Sequence, residues 1–410
     1  MAYLTYTDKD FALYAVSLFT YGLLLSFALS SVALIVVSWS ALAFLLAVFF
    51  AKHGAAWDAK VPGVLLRGVA HYPLDLLHDL RKSAVALSPL ILCYLVALVG
   101  EGLLGSSLSG SIWSKPFPFE YLFWGHLALV TAFRTYILVD HLRKSAHVQS
   151  VLEETSWRRH FGDVSVRVHI LQAYITGVLT NLSLLIGPLI FYKLSQPTVL
   201  REVILLVTYP VLLFVIFCTK SVFSKSVETD FFRFFGEDHE RAHKSRFQFT
   251  LFHGQHHDAI PSALIASDGV GFLEGVQKTW TRLHALQSVS LFMLLRGLCA
   301  NYVDIVGHQY IPGVFPYCKL SLHLKNHHMA HHMGSLLPLR LGPMDLPYAP
   351  LDTQQGYDLD NVRTRWFTAS IAQHERADEA VLQNYLQPSQ NSVADRSSAL
   401  LKTWRALTSF

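Results

Sequence analysis

Charge is what this sequence has least of. Asp, Glu, Lys and Arg make up 15% of its 410 residues, against about 25% in an average soluble domain. A soluble fold of this size needs a larger charged surface, so the scarcity argues for a membrane class. The net charge is only +4. The basic residues sit in short loops and form no stripe, so no nucleic acid partner is expected. Cysteine is also scarce: Cys93, Cys218, Cys299 and Cys318 are scattered, with no CxxC pair. That excludes a disulfide framework, a zinc knuckle and a ferredoxin-type cluster, and leaves small core residues. A Rossmann fingerprint and a haem-attachment motif are missing as well. The opening residues, MAYLTYTDKDFALY, lack a basic stretch and a small-residue cleavage site. The first apolar run therefore reads as a retained anchor and not as a removed signal peptide. No internal repeat or low-complexity tract is present, and no segment alternates with the period of two that a membrane barrel requires.

Hydrophobic residues are plentiful, at 52% of the chain, and mean hydropathy is +0.35. From Phe11 to Ala51 the chain is apolar throughout. One crossing needs only about 20 residues, so this run reads as a helical hairpin turning near Ser30 and Ser31. Further crossings are expected at Ala84–Leu104, Phe119–Val139, Ile170–Tyr192 and Val199–Phe223, six in all. The expected fold is an all-α polytopic helical bundle. Its loops alternate in charge. Lys52, Lys60, Arg67, Arg81 and Lys82 fall in 52–83, and Arg143, Lys144, Arg158, Arg159 and Arg167 fall in 140–168. The opposite loops carry only Lys115 in 105–117 and no basic residue in 194–198. By the positive-inside rule the amino terminus, both rich loops and the chain after residue 223 face the cytoplasm. Three regions are expected: a transmembrane leader over 1–223, a histidine-box region over 224–350 with re-entrant or hairpin helices, and a polar cytoplasmic tail over 351–410. The chemistry is expected in a histidine-rich cap on the cytoplasmic face.

Of the 21 histidines, twelve lie between His239 and His332, and they fall in patterns. His239 and His243 form an HxxxH. His253, His256 and His257 form an HxxHH, and His328, His331 and His332 form a second, with His323 and His327 just upstream. Residues four apart share a helix face, so HxxxH offers two imidazoles to one metal. In HxxHH the positions lie within about 100° of arc, so three rings point one way. A single HxxxH is common by chance, but eight patterned imidazoles exceed the needs of one ion and suit two. Without metal, such a cluster would suffer mutual repulsion and unsatisfied donors. Imidazole suits iron, zinc, copper and nickel, not calcium or magnesium.

Topology adds a ninth candidate. The third box must return to the side that holds the first two, so 259–286 would dip into the bilayer and 289–308 would come back. His308 then stands at the returning end, with Asp304 on the same face to orient an imidazole or to bind metal. The other histidines have blander readings. His126, His141 and His147 near the fourth crossing, and His71 and His78 in a basic loop, read as interfacial or solvated. His284 lacks a partner at helical spacing. Glu101 and Glu202 read as interfacial, and Arg134 reads as a snorkelling side chain near a helix end.

In order, DHERAH (238–243), FHGQHH (252–257), GHQYIPGVFP (307–316) and NHHMAHH (326–332) resemble the fatty acid hydroxylase/sterol desaturase superfamily. The likeness covers roughly 230–350, and its third and fourth elements are similar to those of the sterol oxidase branch. His308 stands where the 2-hydroxylase branch carries a paired HxxxH, with Asp304 in the first place. The resemblance implies two non-haem iron ions held by His239, His243, His253, His256, His257, His308, His327, His328, His331 and His332. Asp304 and His323 would support them. It implies dioxygen as co-substrate, a lipid or sterol that is hydroxylated or desaturated, and a separate electron donor: a b-type cytochrome, ferredoxin or reductase. The membrane is then a bacterial inner membrane or the endoplasmic reticulum. Phe247, Phe249, Phe252 and Phe315 either line the substrate's path or simply pack, and packing is the simpler reading. Three alternatives stay open: an acyl-lipid desaturase of the related three-box type, a histidine-rich metal transporter, and a zinc hydrolase using Glu240 or Asp258 as base.

Overall fold

The computed structural model describes residues 8–53, 72–86, 88–153, 164–219, 246–258, 262–266 and 271–281. It also describes 298, 301–302, 304–306, 308–309, 311 and 313–316. Every named element among the described residues is helical. The one β-type pairing there is an isolated bridge between Pro116 and Thr198. The polar tail after 350 lies outside the described residues.

The amino-terminal apolar run folds as the expected hairpin, α1 (Asp8–Ala28) and α2 (Val32–His53), turning through 29–31. Aromatic side chains close its open end. Phe11 stacks on Phe50 at 4.5 Å and Tyr14 on Phe49 at 4.0 Å. Gly22 lets the helices approach, because a Cβ there would lie 2.7 Å from the Trp39 ring. Next come α3 (Tyr72–Ala86) and α4 (Ser88–Leu104). The apolar helix expected from Ala84 thus starts at Ser88, with Pro89 in its first turn, where the missing N–H costs nothing.

Helix α5 (Phe119–Arg143) leads to the short α6 (Ser145–Glu153). The 30-residue α7 (Val166–Ser195) and then α8 (Val199–Thr219) follow. Gln196 adopts a left-handed conformation that ends α7. Two backbone bonds, Phe117 N to Pro197 O at 2.8 Å and Val199 N to Lys115 O at 2.9 Å, tie the two connecting loops together. Among the described residues, four helical stretches are long and apolar enough to cross a membrane: Phe11–Ala28, Val32–Lys52, Phe119–Arg143 and Val166–Ser195. Ile91–Leu104 is apolar but shorter.

Burial shows which helix is central. In the most apolar window of α7, 67% of residues are buried, against 28–39% in the other three. Those three turn residues such as Phe19, Phe27, Val36, Val37, Leu129 and Tyr136 outward. So much exposed apolar surface is what a lipid-facing helix presents. Helix α7, by contrast, carries a buried polar stripe: His169, Gln172, Thr176, Thr180 and Ser183. Tyr21 of α1 reaches it, bonding Leu179 O at 2.9 Å and Ser183 Oγ at 2.6 Å.

Against that stripe pack the short helices α10 (Ser262–Ile265) and α11 (Phe272–Thr281). A helix of four residues leaves most of its carbonyls unbonded. Arg134 of α5 satisfies two carbonyls here, donating to Leu264 O at 2.6 Å and to Ala266 O, with Asn301 Oδ1 at 3.4 Å. Arg134 is fully buried, so the snorkelling expected from the sequence is corrected. Its guanidinium had carbonyl partners in a segment that periodicity does not reveal. Gly177 makes the approach possible: a Cβ there would run into the Leu264 carbonyl and lie 2.7 Å from the Arg134 guanidinium.

Candidate metal centre

The segment α9 covers 246–258 and contains the second histidine box. Its middle, Phe249–His253, is wound as a π-helical turn between α-helical ends. Such turns widen the helix and are frequent at functional sites. Helix α3 holds it in place. Tyr72 stacks on Phe252 at 5.2 Å and meets Phe247 edge-on at 5.2 Å. Gln248 Nε2 donates to Asp75 Oδ2 at 2.7 Å. Phe247 and Phe252 are therefore packing residues. Gln255 joins α9 to α11: its Oε1 accepts from Leu273 N at 3.4 Å, and its Nε2 donates to Leu251 O at 2.7 Å.

This framework leaves His253 and His256 fully buried, with ring centroids 5.7 Å apart. His308, from a separate stretch of chain, comes to 5.0 Å from His256, the rings edge to face, and is also fully buried. The Nδ1 atoms of His253 and His308 meet acceptors. His253 Nδ1 lies 3.0 Å from Glu274 Oε2. His308 Nδ1 lies 2.7 Å from Asp304 O, with Asp304 Oδ1 at 3.3 Å. Acceptors at these positions favour a proton on Nδ1, and in the neutral ring that leaves the lone pair on Nε2. Metal-ligating imidazoles are held in this way, so the rings present suit a transition metal. Among the described residues, no three His, Cys, Asp or Glu side chains form a group that could hold a metal ion by themselves.

Glu274 did not stand out in the sequence. Its Oε2 also accepts from Gly271 N at 3.2 Å, and its other oxygen pairs with Lys278 one turn on. The carboxylate is buried between these donors and His253. The only cue in the sequence was an i, i+4 Glu–Lys pair inside a mildly apolar stretch.

The turn bearing His308 is docked on the end of α5. Phe315 N donates to Asp140 Oδ2 at 2.8 Å, and Lys144 Nζ to Gly313 O at 2.7 Å. Gly313, with φ 74°, takes a bend that a side chain would resist. Gln309 holds the turn from inside, donating to Phe315 O at 2.8 Å and accepting from Ile311 N at 3.2 Å. Its Nε2 also lies 3.4 Å from His141 Nε2.

His141 is thus buried, as is His126, which corrects the interfacial reading of both. His141 Nδ1 also lies 2.9 Å from Ile137 O one turn back, while Gln309 belongs to a distant stretch that spacing does not show. His147 is half-buried and His78 exposed. Glu202 is buried with Tyr192 OH at 2.5 Å from its Oε1, again in place of an interfacial position. Glu101 is bonded by Arg201 Nε at 2.5 Å and Thr198 Oγ1 at 2.6 Å. Phe315 is partly exposed, and meets Tyr136 and Phe133 edge-on.

Of the expected ligands, the structure brings together His253, His256 and His308. The backbone of His257 continues α9, but its side chain is not among those described. His239, His243, His323, His327, His328, His331 and His332 lie outside the described residues. No family model, curated protein or solved structure matches the chain.

Proposed function

We propose that the chain is a multi-pass membrane oxidoreductase that hydroxylates or desaturates a lipid or sterol at a histidine-bound pair of iron ions. One observation carries this reading: His253 and His256 meet His308, from a distant stretch of chain, in a fully buried cluster. Three rings from a patterned histidine set, two of them oriented through Nδ1, are costly to bury unless they bind something. The motif resemblance supplies the lipid substrate and the choice of iron.

Bound iron would supply dioxygen activation and the cleavage of an unactivated C–H bond. The chain's own part is to orient the imidazoles, through Glu274 and Asp304, and to exclude water. Leu251, Phe272, Ile305, Val306 and Ile311 are all buried in the segments that carry the rings or flank them. Two electrons must come from outside, from a b-type cytochrome, ferredoxin or reductase, because the sequence has no redox motif of its own.

The topology read from the loop charges supports a site facing the cytoplasm. Gly275 of α11 backs onto Ser183, nine residues before Tyr192, or about 14 Å along α7. His308 sits near the opposite end, beside the last turn of α5. Since Ser183 lies near the middle of α7 (Val166–Ser195), the cluster would extend from mid-depth towards the cytoplasmic end of the bundle. Irregular backbone at such depth is tolerated where protein satisfies it, and Arg134 provides donors to Leu264 O and Ala266 O. Burial of the cluster against a crossing helix also suits a metal-transport site, so the test must separate the two.

The test is metal analysis of the detergent-purified chain together with lipid analysis of cells expressing it or His256→Ala. Two irons per chain and an oxidised lipid that disappears in His256→Ala are expected. An alcohol separates a hydroxylase from a desaturase, which yields an alkene. Undiminished oxidation by His256→Ala, or metal flux in proteoliposomes without oxidation, would overturn the proposal.

A further inference from the structure

We infer that Glu274 is a positioning residue that sets the direction in which His253 offers its metal-binding nitrogen. The inference rests on the metal-centre reading and extends it to a residue outside the histidine boxes. His253 Nδ1 lies 3.0 Å from Glu274 Oε2. The carboxylate is itself fixed, by Gly271 N at 3.2 Å on the same oxygen and by Lys278 on the other. Its helix cannot drift easily, because Gly275, the next residue, leaves only 3.0 Å between its absent Cβ and Ser183 Cβ on α7. Gly271 is likewise set against the Phe252 carbonyl, the residue before His253.

The chain thus runs from the central helix through α11 to one carboxylate and on to one imidazole nitrogen. An ionised carboxylate accepts and cannot donate, so it calls for a proton on His253 Nδ1, and the neutral ring then offers the lone pair of Nε2. Nε2 sits on the far side of the ring from Glu274. His308 has the same arrangement with a backbone carbonyl, Asp304 O at 2.7 Å. A carbonyl one turn back serves His141 in the same way, Ile137 O at 2.9 Å, so what sets His253 apart is a buried carboxylate brought from another helix. Glutamine at 274 keeps the shape but loses the charge, and its amide can present a donor to Nδ1 and reverse the tautomer.

The experiment uses the full chain in detergent and cobalt(II) as probe, followed by its visible ligand-field spectrum and by competition with a chelating dye. Four proteins are compared: wild type, Glu274→Gln, His253→Ala and the double variant. Glu274→Gln is expected to weaken cobalt binding by about 10- to 100-fold and to shift the spectrum. In the His253→Ala background the same change is expected to do nothing further. Wild-type affinity in Glu274→Gln, or an equal loss in both backgrounds, would overturn the assignment. Wild type that takes up no cobalt would instead sink the metal-centre reading itself. A measurement on the unaltered fold guards against a variant that fails to fold. In metal-free wild type labelled with nitrogen-15 histidine, the signal absent from His253→Ala should report a proton on Nδ1. A proton on Nε2 would overturn the assignment.

Discussion

Arg134 and Leu264 stand 130 residues apart in the chain, and a guanidinium nitrogen of one lies 2.6 Å from the carbonyl oxygen of the other. With Ala266 O and Asn301 Oδ1 nearby, this one side chain ties α5 to the segment that leads into α11.

Arg134→Leu should therefore destabilise the fold. Two buried carbonyls would lose a charged donor, and leaving a buried polar group unsatisfied costs about 1–3 kcal/mol. Arg134→Lys should recover only part of the loss, since a single ammonium lacks the planar fork that reaches two acceptors. Thermal unfolding in detergent checks both. A leucine variant as stable as wild type would show that water or another donor takes over.

Gly177→Ala is expected to push α10 away from α7, because the added methyl would meet the Leu264 carbonyl and the Arg134 guanidinium. Overpacking of this kind costs about 1–3 kcal/mol. Gly125→Ala on α5 is the contrast. Nothing lies within 4 Å of its Cβ position, and alanine should raise stability by up to about 1 kcal/mol. Unfolding midpoints of the two variants should move in opposite directions.

Removal of metal should abolish lipid oxidation, and iron(II) should restore it where zinc(II) does not. His308→Ala should lose both bound iron and product, whereas His78→Ala, at an exposed position, should keep both. Metal content and product yield measured on the same preparations provide the check.

Orientation in the membrane is open to direct test. A cysteine at Ser109, exposed in the loop before α5, should react with an impermeant maleimide on intact cells. A cysteine at Ala146, exposed just past the other end of α5, should react only after permeabilisation. The reverse pattern would contradict the topology read from the loop charges.

The long apolar runs were legible because hydrophobicity alone marks where such a helix lies, although four of the six expected crossings prove long and apolar enough among the described residues. The α1–α2 hairpin turns at 29–31, beside the two serines marked in the sequence, and α7 extends its expected crossing by only a few residues at each end. The meeting of His253 and His256 followed from helical spacing, and His308 stands beside His256, as the expected return of the chain to one side requires. The partners of the polar residues were not legible. Arg134, His141 and Glu274 are defined by groups on other elements: Leu264 O, Gln309 and His253. Periodicity reports which face of a helix is apolar. It is silent on what a buried polar side chain meets across an interface.

The ring of Tyr72 touches both elements that converge on His253. It stacks on Phe252, the preceding residue, and its hydroxyl donates to Gln277 Oε1 at 2.9 Å on the helix of Glu274. A displacement of α3 would therefore carry imidazole and carboxylate along together, and their mutual spacing would survive a movement that altered the distance of either from His308.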